Sequence, residues 1–336
     1  MIREYLKLAR SFNAVLTGIS PVMGAIAMEE FNIFTLFLIF IIGFFGHTFG
    51  FVFNDIIDYK IDKSSKEISD RPLISGTISI TKAWIFAIIS LLIPFVVALY
   101  IAYNQQVFYP IVILVLSALS ITLYDLISKK LPFMDIFVAF GIFFFILYGA
   151  STRAPQVSDI TPLAWMVCIL GSIQVLFMQI IAGGLKDIEN DYEKGAKTAA
   201  VKLGVRVTNG VLYVSKSFKG LAYFIQILDI FLIFLSFYII EKIRPTLELL
   251  IIQTILISII SFLMLLLSYK LLNIGTFDRK KARKYIGSHY MINFCLVPIM
   301  LISLNPWAIL LMFFPGLGFI LSNIILHGTI LQPKTM

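Results

Sequence analysis

Residues 54–62 read NDIIDYKID and close an apolar run that starts near residue 33. On a helix, Asn54 and Asp58 are an i,i+4 pair, as are Asp58 and Asp62, and Asp55 and Asp58 are i,i+3, so one face gathers three carboxylates and an amide. Like charges at that spacing repel unless something positive sits among them, and an oxygen-rich cluster of this kind suits a hard cation such as Mg2+. About 130 residues later, GGLKDIENDYEKGAKT places Lys186, Asp187, Asn190 and Asp191 at the end of another apolar run, with Asp187 and Asp191 again at i,i+4. Two acidic helix ends of like design predict one site for a metal-bridged, phosphorylated ligand.

The rest of the chain says where such a site sits. Of its 336 residues 59% are hydrophobic and 14% charged, with a mean hydropathy of +0.94, far more apolar surface than a soluble domain of this size hides. Stretches long enough to cross about 30 Å of hydrocarbon fall at 12–28, 33–57, 83–103, 107–126, 133–150, 163–185, 220–240, 249–272, 285–304 and 308–327. Only residues 305–307 separate the last two, so the expectation is an all-α, polytopic transmembrane bundle of nine or ten spans in a single domain, 1–336. The opening MIREYLKLARSF is charged, lacks a small-residue cleavage site, and reads as an interfacial amphipathic lead into the first span. Cys168 and Cys295 lie inside apolar runs without metal-ligand spacing and read as inert thiols.

The connections alternate in charge. The N-terminus, the connections after the second, fourth, sixth and eighth spans, and the C-terminus carry 24 of the 27 Lys and Arg, and only Arg153, Lys242 and Arg244 fall on the other side. The positive-inside rule makes the first side cytoplasmic. Both acidic clusters then face the cytoplasm, in the two longest connections, and predict a membrane enzyme with its site on that face. Arg71 and Lys186 are placed to contact phosphate oxygens, the first by a planar fork and the second as a point charge. Tyr124, in LYDLISKK, sits where the fourth span reaches the same face, with Lys129 and Lys130 just beyond.

At these residues the chain resembles the UbiA superfamily of intramembrane prenyltransferases. NDIIDYKID resembles its N-D-x-x-D-x-x-x-D motif and KDIEND its second D-x-x-x-D motif. DRPLISG is similar to its R-P-hydrophobic-x-S-G stretch, EKGAKTAAVKLG to the segment after the second motif, and LARSFNAVLTGISPVMG to its first helix. The likeness runs through roughly the first 210 residues; the final third matches mainly in hydropathy. It implies Mg2+-assisted ionisation of a polyprenyl diphosphate, an allylic carbocation kept from water, and capture by a lipid or aromatic acceptor. The implied roles are metal and diphosphate for Asn54, Asp55, Asp58, Asp62, Asp187 and Asp191, and phosphate for Arg71, Lys129 and Lys186. Tyr124 would stand beside the cation, with Asp58 and Asp187 also in the catalytic set, and Arg10 and Asn13 would recognise the acceptor. One departure stands out: the family often has Tyr and Lys four apart, whereas Lys129 is fifth after Tyr124, about 140° round an ideal helix.

The KDIEND to KGAKT stretch looks closest to archaeal enzymes that alkylate geranylgeranylglyceryl phosphate, and aromatic acids of quinone pathways are the alternative acceptors. Asp229, near the middle of the seventh span beside Gln226, costs about 3 kcal/mol on insertion scales and should face the bundle interior. It is the one feature that favours a secondary transporter, the rival class. His47 reads as a hydrogen-bonded packing residue. Nothing in the pattern calls for a nucleic-acid partner, and the oligomeric state stays open.

Overall fold

The computed structural model describes residues 1–63, 69–128, 130–193, 195–240, 243 and 246–330. A short helix α1 (Ile2–Leu8) leads into α2 (Ser11–Ala27) and α3 (Ile33–Ile57), which continues as a single turn α4 (Tyr59–Asp62). Then come α5 (Ile80–Gln105), α6 (Tyr109–Ile127), α7 (Asp135–Ser151), α8 (Pro162–Leu176), α9 (Gly184–Glu193) and α10 (Ala199–Lys202). A two-stranded antiparallel hairpin, β1 (Arg206–Thr208) and β2 (Val211–Tyr213), precedes α11 (Lys216–Ile239), α12 (Leu247–Leu272), α13 (Arg279–Phe294), α14 (Leu296–Leu301) and α15 (Phe313–His327).

Every expected apolar stretch carries helix. Among the described residues, seven helices are long and apolar enough to cross a membrane, and Ser11–Ala27 and Asp135–Ser151 are shorter apolar ones. The stretch expected at 285–304 starts earlier, at Arg279, and is interrupted at Cys295, before the Pro298 ring that cannot donate to a helical ladder. The hairpin in the connection after α10 is an element the all-helical reading did not include.

Polar residues at the ends of the apolar runs start the helices. Asn32, Ser79, Ser215 and Thr246 each accept a hydrogen bond from the backbone N–H three residues on, and Asp278 accepts from Lys280 and Lys281. Along α5 the buried positions are Ala83, Ala87, Ser90, Pro94, Ala98, Ile101 and Ala102, small but for Ile101, while Ile85, Ile88, Ile89, Leu92, Val96 and Leu99 are exposed. Small residues inside and bulky apolar ones outside reverse the order of a water-soluble helix and are the order expected where lipid is the solvent. The chain is an integral, multi-pass membrane protein.

It divides into two compact units. The first holds Met1–Leu126, Phe144–Ala164 and Phe313–Met336, and the second Ile127–Phe143 and Trp165–Met312. In the first, α2 packs on α3 and α15, and α3 packs along α5. In the second, α11 and α13 pack on α12, and α9 packs on β1.

Candidate functional site

Within the first unit, the acidic stretch keeps helical hydrogen bonding past the end of α3. Asp58 N–H donates to Asn54 O and Asp62 N–H to Asp58 O, both at 2.9 Å, so Asn54, Asp58 and Asp62 hold the register read from their spacing. Asp55 and Asp58 are buried. Burying carboxylates costs several kcal/mol each unless cations reach them, and two arginines reach Asp55.

Arg71 arrives on a turn built by DRPLISG. Ser75 N–H donates to Arg71 O at 2.9 Å and Ile78 N–H to Pro72 O at 3.1 Å, and Gly76 takes φ +73°, where a side chain would be strained. Leu73 and Ile78 anchor this turn in a cluster with Leu8, Val52, Ile56, Ala83 and Ala87. The guanidinium then reaches Asp62 Oδ2 at 2.6 Å and Asp55 Oδ1 at 3.4 Å.

Arg10 comes from the junction of α1 and α2, where it adopts φ 46°, ψ 47°. A non-glycine residue held left-handed stores about 1–3 kcal/mol, and such residues gather at functional sites. Its Nη2 lies 2.7 Å from Asp55 Oδ1, and its guanidinium stacks 4.6 Å over the Phe51 ring. Burial pulls the Arg10 guanidinium below its ordinary pKa against the opposing pull of Asp55; with a guanidinium's very high starting value it stays charged. Asn13, one turn into α2, has its side-chain Oδ1 buried without a hydrogen-bond partner.

Asn54 donates from Nδ2 to Asp125 Oδ1 at 3.1 Å. Sequence reasoning missed Asp125, although a carboxylate inside an apolar run is itself a signal. It follows Tyr124, which is half-buried near the end of α6, and the helix stops at Ile127. Lys129 lies outside the described residues; Lys130 is exposed. His47 bonds to Thr17 Oγ1 at 2.9 Å through Nδ1, in the packing role expected of it.

In the second unit, a π-helical segment, Phe177–Gly183, leads directly into α9. Such bulges often mark functional positions. Asp187 and Asp191 lie one turn apart on α9. Asp187 Oδ1 is 2.6 Å from Arg279 Nη2 and its Oδ2 is 3.3 Å from Lys186 Nζ. The sequence had paired Lys186 with this region but had no sign of Arg279, which burial and the neighbouring Arg283 charge bring down to a pKa of about 10, still protonated at neutral pH. Asp229 faces the interior as expected, buried, with Gln174 Nε2 3.4 Å from both its oxygens. Gln226 donates to Ser268 Oγ at 2.6 Å and meets His289 Nε2 at 2.5 Å in the same buried polar group.

Among the described residues, no group of three or more His, Cys, Asp or Glu side chains is arranged to hold a metal ion unaided. Mg2+ does not require one, because it binds through one or two carboxylates and completes its shell with water and substrate phosphates. The donors present fit that mode. Both arginines contact Asp55 through Oδ1, so neither of those contacts uses Oδ2, and Asn54 meets Asp125 through Nδ2 rather than Oδ1. Arg10 and Arg71 meet Asp55 and Asp62, and Asp58 adds a third carboxylate to the group.

Known proteins are similar to this chain in sequence and in fold. Digeranylgeranylglyceryl phosphate synthase of Sulfurisphaera tokodaii is 26% identical over 214 residues, covering 62% of this chain and 72% of that one. A solved structure of digeranylgeranylglyceryl phosphate synthase superposes with a TM-score of 0.63 at 24% identity, over 92% of this chain and 98% of that one. A UbiA homologue from Archaeoglobus fulgidus, solved bound to GPP and Mg2+, superposes with a TM-score of 0.60 at 16% identity, over 90% of this chain and 99% of that one. The profile of the UbiA prenyltransferase family matches residues 14–263, about three quarters of the sequence and all of both acidic motifs. The chain is an enzyme of the UbiA prenyltransferase family.

Proposed function

We propose that this prenyltransferase moves the prenyl group of a polyprenyl diphosphate onto geranylgeranylglyceryl phosphate, working as one domain over residues 1–336 at the cytoplasmic face of the cell membrane. The acceptor rests on one observation, the similarity to a digeranylgeranylglyceryl phosphate synthase over most of that enzyme's length. The sidedness rests on the partition of Lys and Arg among the connections. Family membership favours the enzyme over the transporter that Asp229 alone had suggested.

Asn54, Asp55, Asp58 and Asp62, and likewise Asp187 and Asp191, would hold Mg2+ and the diphosphate it bridges. Bound Mg2+ supplies Lewis-acid polarisation of the diphosphate oxygens. Arg71, Lys129 and Lys186 would take phosphate oxygens directly, Arg71 while keeping Asp62 in place. The allylic C–O bond breaks with its electron pair leaving on diphosphate. The Tyr124 ring face would stand against the cation, and the acceptor hydroxyl oxygen would form the new C–O bond and give its proton to the released diphosphate. Arg10 and Asn13 would meet the acceptor from the start of α2, where the unpartnered Asn13 Oδ1 is available to a hydroxyl.

The test is direct. Purified protein in detergent is incubated with Mg2+, prenyl diphosphates of several lengths, and a panel containing geranylgeranylglyceryl phosphate and aromatic acids, with the product identified by mass. An ether lipid and released diphosphate are expected. A prenylated aromatic ring instead would transfer the assignment to the quinone-type acceptors.

A further inference from the structure

Asp125 has no role in any reading of the motifs, yet it is more than nine-tenths buried and touches the first residue of NDIIDYKID. The contact is built into the crossing of two helices. One turn before Asn54, Gly50 faces Ile121, one turn before Asp125, and a Cβ on Gly50 would sit 3.2 Å from Ile121 Cγ2. The absent side chain lets α3 and α6 come close enough for Asn54 Nδ2 to reach Asp125 Oδ1 at 3.1 Å. Asp125 Oδ2 is buried with no hydrogen-bond partner.

An ionised carboxylate only accepts hydrogen bonds, whereas a primary amide has a donor end and an acceptor end. Whichever end of Asn54 turns toward Asp125 fixes what the other end offers. With the NH2 group on Asp125, the Asn54 carbonyl oxygen is the atom presented elsewhere, and an oxygen is what a hard cation takes. A carboxylate at position 54 would face Asp125 with like charge, and an apolar residue would offer nothing.

We infer that Asp125 is a positioning residue for the diphosphate site: by accepting the Asn54 amide it presents the Asn54 carbonyl oxygen to the Mg2+-bridged diphosphate. The inference rests on the reading of Asn54 as a ligand. It explains why an amide precedes the carboxylates of the motif and why a buried acid lies near the end of α6.

The test measures metal binding apart from turnover. Full-length protein in detergent is titrated with Mn2+, followed by electron paramagnetic resonance, in the presence of an unreactive thio-linked prenyl diphosphate. Asp125→Leu should weaken Mn2+ roughly 10- to 100-fold, the usual effect of removing a partner that orients a metal ligand, and leave the acceptor KM unchanged. Asp125→Asn, whose amide oxygen still accepts, should stay within about threefold of wild type. Asn54→Asp alone should lose as much as Asp125→Leu. The exchanged pair Asn54→Asp with Asp125→Asn restores one donor opposite one acceptor and should recover roughly tenfold of that loss. Wild-type Mn2+ binding in Asp125→Leu, or no recovery in the exchanged pair, overturns the inference while the ligand role of Asn54 stands. Unchanged binding in Asn54→Ala removes that ligand role, and the inference with it.

Discussion

Arg10 Nη2 lies 2.7 Å from Asp55 Oδ1, joining the first residue before α2 to the last turn of α3 across 45 positions of sequence, with both groups buried. The pair ties the entry of the chain into the membrane to the motif that defines the family.

Breaking it should be costly for folding as well as activity. Arg10→Ala leaves Asp55 with only the longer Arg71 contact, and removing one partner of a buried pair costs about 3–5 kcal/mol. The apparent Tm in detergent should fall, and the double variant Arg10→Ala with Asp55→Asn should regain part of the loss. Thermal unfolding followed by tryptophan fluorescence measures both. Equal Tm values for Arg10→Ala and wild type would show that the pair adds nothing.

Asp58→Ala and Asp187→Ala should each abolish prenyl transfer while the protein still inserts in the membrane. Lewis-acid assistance of several kcal/mol corresponds to about a thousandfold in rate or more. Product formation and diphosphate release are the measurements, and near wild-type turnover in either variant would remove that acid from the site.

The proposed cytoplasmic placement predicts a labelling pattern. With Cys168 and Cys295 replaced, single cysteines at Thr77 and Gly195 should react with an impermeant reagent from the same side of the membrane, and one at Gln106 from the other. Reaction of Thr77 and Gly195 from opposite sides would contradict the charge partition.

α6 ends at Ile127, and the phosphate role just beyond it is proposed for Lys129 rather than Lys130. Lys129→Ala should therefore weaken diphosphate binding more than Lys130→Ala. Tyr124→Phe keeps the ring face and should outpace Tyr124→Leu by roughly two- to thirtyfold, the equivalent of about 0.5 to 2 kcal/mol of cation stabilisation. Equal, negligible losses in the two lysine substitutions would reduce both to topology signals.

What could be read from the sequence was whatever one helix determines alone. Hydropathy located the spans because each must satisfy its own backbone in lipid, and i,i+4 spacing put Asn54, Asp58 and Asp62 in register. The partners of those acids were not legible. Arg10 read as a residue for acceptor or headgroups, and nothing local ties it to Asp55; Arg279 sits in the basic run RKKARK with nothing to single it out, 92 residues from Asp187. Such contacts depend on which helices cross and where, and packing in lipid is governed by small residues whose pattern names no partner. Asp125 is the exception: a lone carboxylate in an apolar helix carried its own signal, masked by the lysines that follow it.

The Arg279 contact also redraws where the working part of the molecule ends. The family profile stops at residue 263, yet the guanidinium 2.6 Å from Asp187 comes from residue 279. A chain trimmed at residue 263 would retain every acidic motif and Lys186, and lose the guanidinium that meets Asp187. The segment beyond residue 263 is therefore the place to look when relatives with identical motifs differ in how strongly they hold metal or diphosphate.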